Sequence, residues 1–179
     1  VAAIAFWHGF DRVIRGIAKF KQQNLNSNNT PEIDFYIVGP KEGEEYKRLA
    51  TLAKELHLED QIHFLGSLEG HELSLAFERA HIAVGSIGLH RIGLKSASPL
   101  KFREYAARGV PFLASLEDPD FKPLPDFVFK VPADESPICT EDIIKFYESF
   151  ADSNQRFLAI RKYAENKLDF KNKIEDFKI

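Results

Sequence analysis

The sequence predicts a layered α/β domain with a mostly parallel sheet and helices on both faces. Two observations carry this: short, near-continuous apolar runs alternate along the chain with segments of 3.6-residue period, and the runs are apolar on both sides, as buried parallel strands are. A third agrees: 179 residues, 44% apolar and 28% charged, suffice for one core without disulfide or structural metal.

The opening VAAIAF reads as the remnant of a first strand. Phe10, Val13, Ile14 and Ile17 then keep the i, i+3, i+4, i+7 spacing of a helix with one buried stripe. NLNSNNTPE (24–32) is a polar connector. IDFYIVG (33–39), QIHFLG (61–66), HIAVGS (81–86) and VPFLAS (110–115) read as buried strands, and DFVFKV (126–131) as a sixth. Tyr46, Leu49, Ala50 and Ala53 supply a helix between the first two of these, and Leu73, Ala76, Phe77 and Ala80 another after the second. Beyond residue 132, Thr140 caps a helix with Glu141 and Asp142 in its first turn, and a further helix runs from about Ser153 to Lys167. In the tail LDFKNKIEDFKI, Phe170, Ile174 and Phe177 are spaced to seat on another surface. The expectation is one domain over 1–179, its C-terminal helices starting near 140.

Composition excludes several classes. One cysteine, Cys139, allows neither an internal bridge nor a Cys-rich zinc site and suggests a reducing, cytoplasmic setting. No window reaches the ~18 apolar residues of a membrane span, and the start lacks the pattern of a signal peptide. A net charge of -3 argues against nucleic acid as partner. The absence of methionine and the apolar opening predict that the chain is a portion of something longer.

Residues 86–98, SIGLHRIGLKSAS, form a connection long enough to suggest binding. From 86 to 108, Arg91, Lys95, Lys101, Arg103 and Arg108 face Glu104 alone, a local +4 in an acidic chain, which points to an anion. The segment follows a strand and enters a helix, where open α/β sheets place ligands. Ser98 reads as N-cap and Pro99 as first helical residue, so the free amides of Leu100, Lys101 and Phe102 make a phosphate seat. The helix dipole adds only ~0.3–1 kcal/mol for an exposed anion, so side-chain cations must supply most of the attraction, and Lys95 and Arg91 are best placed. Glu104, one and a half turns into this helix, suits either a diol or an ion pair along the helix face.

SPLKFREYAARGVPFLAS, preceded by GSIGLHRIGLKSA, resembles the donor-binding segment of the retaining "group 1" glycosyltransferases of GT-B fold. FYIVGP, IHFLGSL, AHIAVGSIGL and EYAARGVP follow in the order of that family's carboxy-terminal, Rossmann-like domain, so the resemblance covers most of 1–135. FWHGFDRVI resembles the glycine turn and helix after the first strand. The resemblance implies a nucleoside-diphosphate sugar as donor, with no other cofactor and no metal. It implies that Glu104 bonds the ribose and that Pro99, Leu100 and Lys101 receive the diphosphate through the backbone. His8 before Gly9 stands where a lysine is usual and would contact phosphate with Arg12 nearby, or be structural. Leu65 and Gly66 would hold the base, or form a tight strand exit. Ser96 stands where the first of the family's two glutamates is expected, eight positions before Glu104. An acceptor domain, lying outside these residues, would bring a saccharide or lipid-linked acceptor, with peripheral contact at the inner membrane. The implied activity is metal-independent transfer with retention, Lys95 and Arg91 stabilising the leaving group; the alternative is a non-catalytic nucleotide-sugar-binding or regulatory module.

Other patterns fall away. DPD at 118–120 lies in an acidic loop after a strand, and the six histidines form no HExxH.

Overall fold

The structure, a computed structural model, describes residues 3–25, 27, 30–151, 154–169 and 171. The elements alternate: α1 (Phe10–Gln23), β1 (Phe35–Val38), α2 (Gly43–Glu55), β2 (Ile62–Gly66), α3 (Gly70–Glu78), β3 (Ala83–Val84), α4 (Leu100–Ala107), β4 (Phe112–Ala114), β5 (Val128–Lys130), α5 (Thr140–Ala151) and α6 (Asn154–Tyr163). The described strands pair in parallel as β1–β2 and as β3–β4–β5.

Alternation along β4 separates the two helical layers, because successive side chains of a strand point to opposite faces. Leu113 joins Phe10, Val13, Ile14 and Ile17 of α1 and Leu49 and Leu52 of α2 in one apolar cluster. Phe112 and Ala114 join Phe77 of α3, Phe102 and Tyr105 of α4 and Ile160 of α6 in the other. Helices therefore cover both faces, as the apolar runs require. The second cluster is aromatic: Phe112 meets Phe102 at 4.9 Å and Phe121 at 5.5 Å between ring centroids.

Two expectations are corrected. The opening residues are no strand where they are described: Ile4 and Ala5 are irregular, and Phe6–His8 make one turn of 3-10 helix. The carbonyls of Trp7 and His8 reach the segment after β3, accepting from the N–H groups of Gly88 and Ile87, before Gly9 turns away with φ of 72°. A Cβ on Gly9 would stand 2.9 Å from the Gly88 nitrogen, so both glycines are needed for these backbones to touch. The start of α4 also differs. Pro99 is the N-cap and Leu100 the first helical residue, because Ser98 directs its hydroxyl to Asp118 Oδ1 at 3.1 Å instead of to the helix.

The helix expected from Ser153 is α6, which begins at Asn154 and ends in a π-helical turn, Ala164–Leu168. The proposed seating residues Phe170, Ile174 and Phe177 lie outside the described residues.

Candidate functional site

β3 and β4 are parallel and end at Val84 and Ala114 on one edge, where Gly85 and Ser115 begin their loops, and α4 follows the first of these loops. Gly85 lets it come down: a Cβ there would lie 2.4 Å from the Phe102 ring. The connection before α4 is stitched to the loop after β4. Ala97 N–H donates to the Glu117 carbonyl at 3.0 Å, and Ser96 Oγ to the same oxygen at 3.1 Å. Arg103 closes the arrangement from within the helix, bonding Asp118, Asp120 and, at 3.1 Å, Ser98 Oγ. The DPD segment thus anchors α4, which no local reading of the sequence shows.

This start is open and uncompensated. Leu100 is 85% exposed, no side chain caps the helix, and its first turn holds no acid, whereas α1, α2, α3 and α5 each carry at least one there. Phe102 N–H is taken by the Pro99 carbonyl at 3.0 Å, so the amides at the open end are those of Leu100 and Lys101, one fewer than the three expected.

The cations sort into two groups. Arg91, expected to face the ligand, spends all five N–H donors on the protein: both Asp11 oxygens at 2.9 and 3.0 Å, Glu135 at 3.0 and 2.5 Å, and the Phe6 carbonyl at 2.6 Å. Its pKa stands above the ordinary arginine value, and the Glu135 carboxyl is pulled down to about 2, chiefly by the bonds from Arg91. Arg12, expected near phosphate, is fully buried and donates to the carbonyls of Ile87, Ser136 and Pro132 at 2.7, 2.8 and 2.9 Å. Both are braces that tie the first turn and α1 to the loops after β3 and β5. Arg108 pairs with Glu104 at 3.1 Å and lies over the Phe77 ring.

What remains of the basic island is Lys95, exposed beside Ser96 on the lip, and Lys101, whose Nζ is sealed from solvent without a hydrogen-bond partner. His8 is buried, with Nδ1 likewise unpartnered. Burial first, then the charge of Lys101, lowers its pKa to about 4, so it is neutral at pH 7. Lys101 itself is lowered to about 8 by burial alone. Glu104, half-buried, offers its carboxylate to Arg108, which supports the ion-pair alternative and leaves it on the helix face beside α3. Leu65 and Gly66 end β2; Gly66 has φ of 82° and accepts from Gly39 N–H at 2.9 Å, as a tight strand exit requires.

Two hollows lie away from this helix start. One of about 190 Å³ is lined by Pro125, Phe127, Ile160 and Tyr163, and one of about 330 Å³ by Arg15, Glu44, Lys47 and Arg48. Among the described residues no cluster of His, Cys, Asp and Glu could hold a metal, and no helix is long and apolar enough to cross a membrane.

Parallel strands, helices on both faces and an open helix start at the carboxyl edge define a Rossmann-like α/β domain. The sequence profile of the family described as "Glycosyl transferases group 1" matches residues 1–119, and the chain belongs to that family. It is similar in fold to two crystal structures of HepE from Anabaena. The one in complex with UDP aligns with TM-score 0.59 and 16% identity over 91% of this chain and 41% of that one. The one in complex with UDP and glucose aligns with TM-score 0.63 and 16% identity over 98% and 45%. The chain thus spans less than half the length of these relatives. No curated protein matches the sequence. The fold is one Rossmann-like half of GT-B architecture.

Proposed function

We propose that this chain is the donor-binding half of a group 1 glycosyltransferase and that the diphosphate of a nucleoside-diphosphate sugar rests on the start of α4. The observation that carries the reading is the uncapped first turn of α4, free of acids, at the carboxyl edge of the sheet. Family membership and the UDP bound by HepE support it.

In this reading the Leu100 and Lys101 amides bond phosphate oxygens and the helix dipole favours their charge. Lys95 approaches from the lip. Glu104 releases Arg108 to accept from the ribose hydroxyls, and the backbone at Leu65 and Gly66 holds the base. The turn at His8 and Gly9 forms the far wall. Charge accumulates on the diphosphate as the bond to the sugar carbon breaks, and preformed amides and cations stabilise that charge, so the leaving group needs no metal in this scheme. Transfer proceeds with retention to a saccharide or lipid-linked acceptor held by another part of the full-length enzyme, in the cytoplasm or at the inner face of the membrane. Ser96 cannot supply the charge of a glutamate near the reacting carbon, and its hydroxyl is already directed to Glu117.

Calorimetry on the chain with UDP and GDP tests the reading. One wall of a cleft is expected to bind with Kd on the order of 10 μM to 1 mM. Glu104→Ala is expected to weaken binding about tenfold, the ~1.4 kcal/mol of a hydrogen bond to a charged group. Absence of binding to either nucleotide contradicts the reading, as does an unchanged Kd in Glu104→Ala.

A further inference from the structure

Arg108 joins two helices. Its backbone is the C-cap of α4, where its carbonyl accepts from Arg161 Nε of α6 at 3.2 Å. Its side chain reaches away from that helix as well as along it. The guanidinium lies over the Phe77 ring of α3, 4.3 Å from the centroid, and Nη1 makes a long bond to Ser74 Oγ at 3.4 Å, while Nε donates back to Glu104 at 3.1 Å. Ser74 is set to accept, because its hydroxyl gives its own proton to the Gly70 carbonyl at 3.1 Å.

α3 needs such a grip. Of its nine residues Phe77 alone is buried, and no side chain caps its start. It follows residues 67–69, which lie between Gly66 and Gly70 with φ of 82° and 53°, and a Cβ on Gly70 would touch nothing, so packing does not fix that turn. A helix that buries so little apolar surface opens locally at small cost unless another contact holds it. Phe77 meets Tyr105 of α4 at 5.9 Å between centroids, and Arg108 adds a cation over the same ring, a contact able to shift such an opening by roughly twofold to thirtyfold.

In the donor-binding reading the two ends of a nucleoside fall on these two elements, the base at Leu65 and Gly66 just before α3 and the ribose at Glu104 on α4. Resting on that reading, we propose that Arg108 is a positioning residue that clamps α3 onto α4 and so fixes the base-holding loop relative to the ribose-binding acid. It touches no ligand itself. When the ribose hydroxyls take Glu104, the guanidinium keeps its two contacts on α3, Phe77 and Ser74, and the clamp holds with the site filled.

Amide exchange read by mass spectrometry, with and without UDP, tests this alongside calorimetry. Arg108→Met keeps an apolar stem and removes the guanidinium. Arg108→Lys keeps the charge, but one ammonium cannot span ring, hydroxyl and carboxylate together. Without ligand, the amides of α3 are expected to exchange about tenfold faster in Arg108→Met and about threefold faster in Arg108→Lys, with those of β4 unchanged. In the parent, UDP is expected to slow exchange at both 65–69 and 100–103. In Arg108→Met it is expected to slow exchange at 100–103 alone, with Kd about tenfold weaker. Unchanged α3 exchange in ligand-free Arg108→Met, parental exchange in Arg108→Lys, or protection of 65–69 that survives Arg108→Met with an unchanged Kd each overturns the clamp and leaves the donor site standing. Exchange that quickens equally in α3 and β4 assigns Arg108 to general stability and also overturns the proposal. No UDP binding by the parent overturns the donor-binding reading and the clamp with it.

Discussion

Arg12 has no exposed surface and three backbone carbonyls at its guanidinium. Replacing it by methionine strands those carbonyls and frees the loop 132–136, and is expected to cost about 3–5 kcal/mol in urea denaturation, far more than any surface arginine. His8 gives stability a pH dependence of known sign. Its pKa is about 4 when folded and 6.5 otherwise, so below pH 6.5 the unfolded chain takes up a proton that the folded chain refuses. Its contribution is therefore present above pH 6.5 and lost as pH falls toward 4; Glu135, folded pKa about 2 against 4.5, loses its own below that window. Urea midpoints from pH 7 to 4.5 are expected to fall in the parent and to fall less in His8→Gln. The roles of these residues were not legible in the sequence. A count of +4 over 86–108 cannot show that Arg91 is neutralised by Asp11, 80 positions away, and by Glu135, 44 positions away. Local spacing sees only partners such as Glu104 and Arg108, one helical turn apart.

Among the elements, α4 carries the argument, and its position depends on Asp118. Asp118 is buried, accepts from Arg103 and Ser98, and takes the Asp120 amide at 3.0 Å. Asp118→Ala is expected to cost about 2 kcal/mol, the scale of hydrogen bonds to a charged group, and to weaken UDP binding severalfold by loosening the first turn. A thermal melt paired with a UDP titration checks both, and loss of stability without loss of affinity separates the anchor from the site. The helices and most strands were legible because period and burial agree: Phe102, Tyr105 and Ala106 are buried on α4, as Phe10, Val13, Ile14 and Ile17 are on α1. The cap was not legible. Ser-Pro before a helix commonly reads as N-cap and first residue, but Ser98 has a stronger partner in a loop 20 residues on.

For the whole molecule, the described sheet consists of two separately bonded parts under a shared core. β4 is paired on both sides, while β1 is bonded to β2 alone. Ile37 of β1 and Leu113 of β4 nonetheless pack into the same cluster. Amide exchange is expected to be slowest at Phe112 and Leu113 and faster by at least tenfold along β1, read by mass spectrometry or NMR. The opening apolar run was expected to be a strand because composition cannot tell a paired run from an unpaired one; where it is described, the carbonyls of Ala5 and Phe6 accept from the N–H groups of His8 and Gly9 within a local turn, not from a neighbouring strand.

The most direct measurement is a UDP titration of the isotopically labelled chain, followed at each backbone amide by NMR. The largest shifts are expected at Leu100, Lys101 and Phe102, with smaller ones at Gly66 and Glu104. Shifts confined to Arg15, Lys47 and Arg48, or to the hollow beside Tyr163, with α4 unmoved, would place the ligand elsewhere and contradict the central claim.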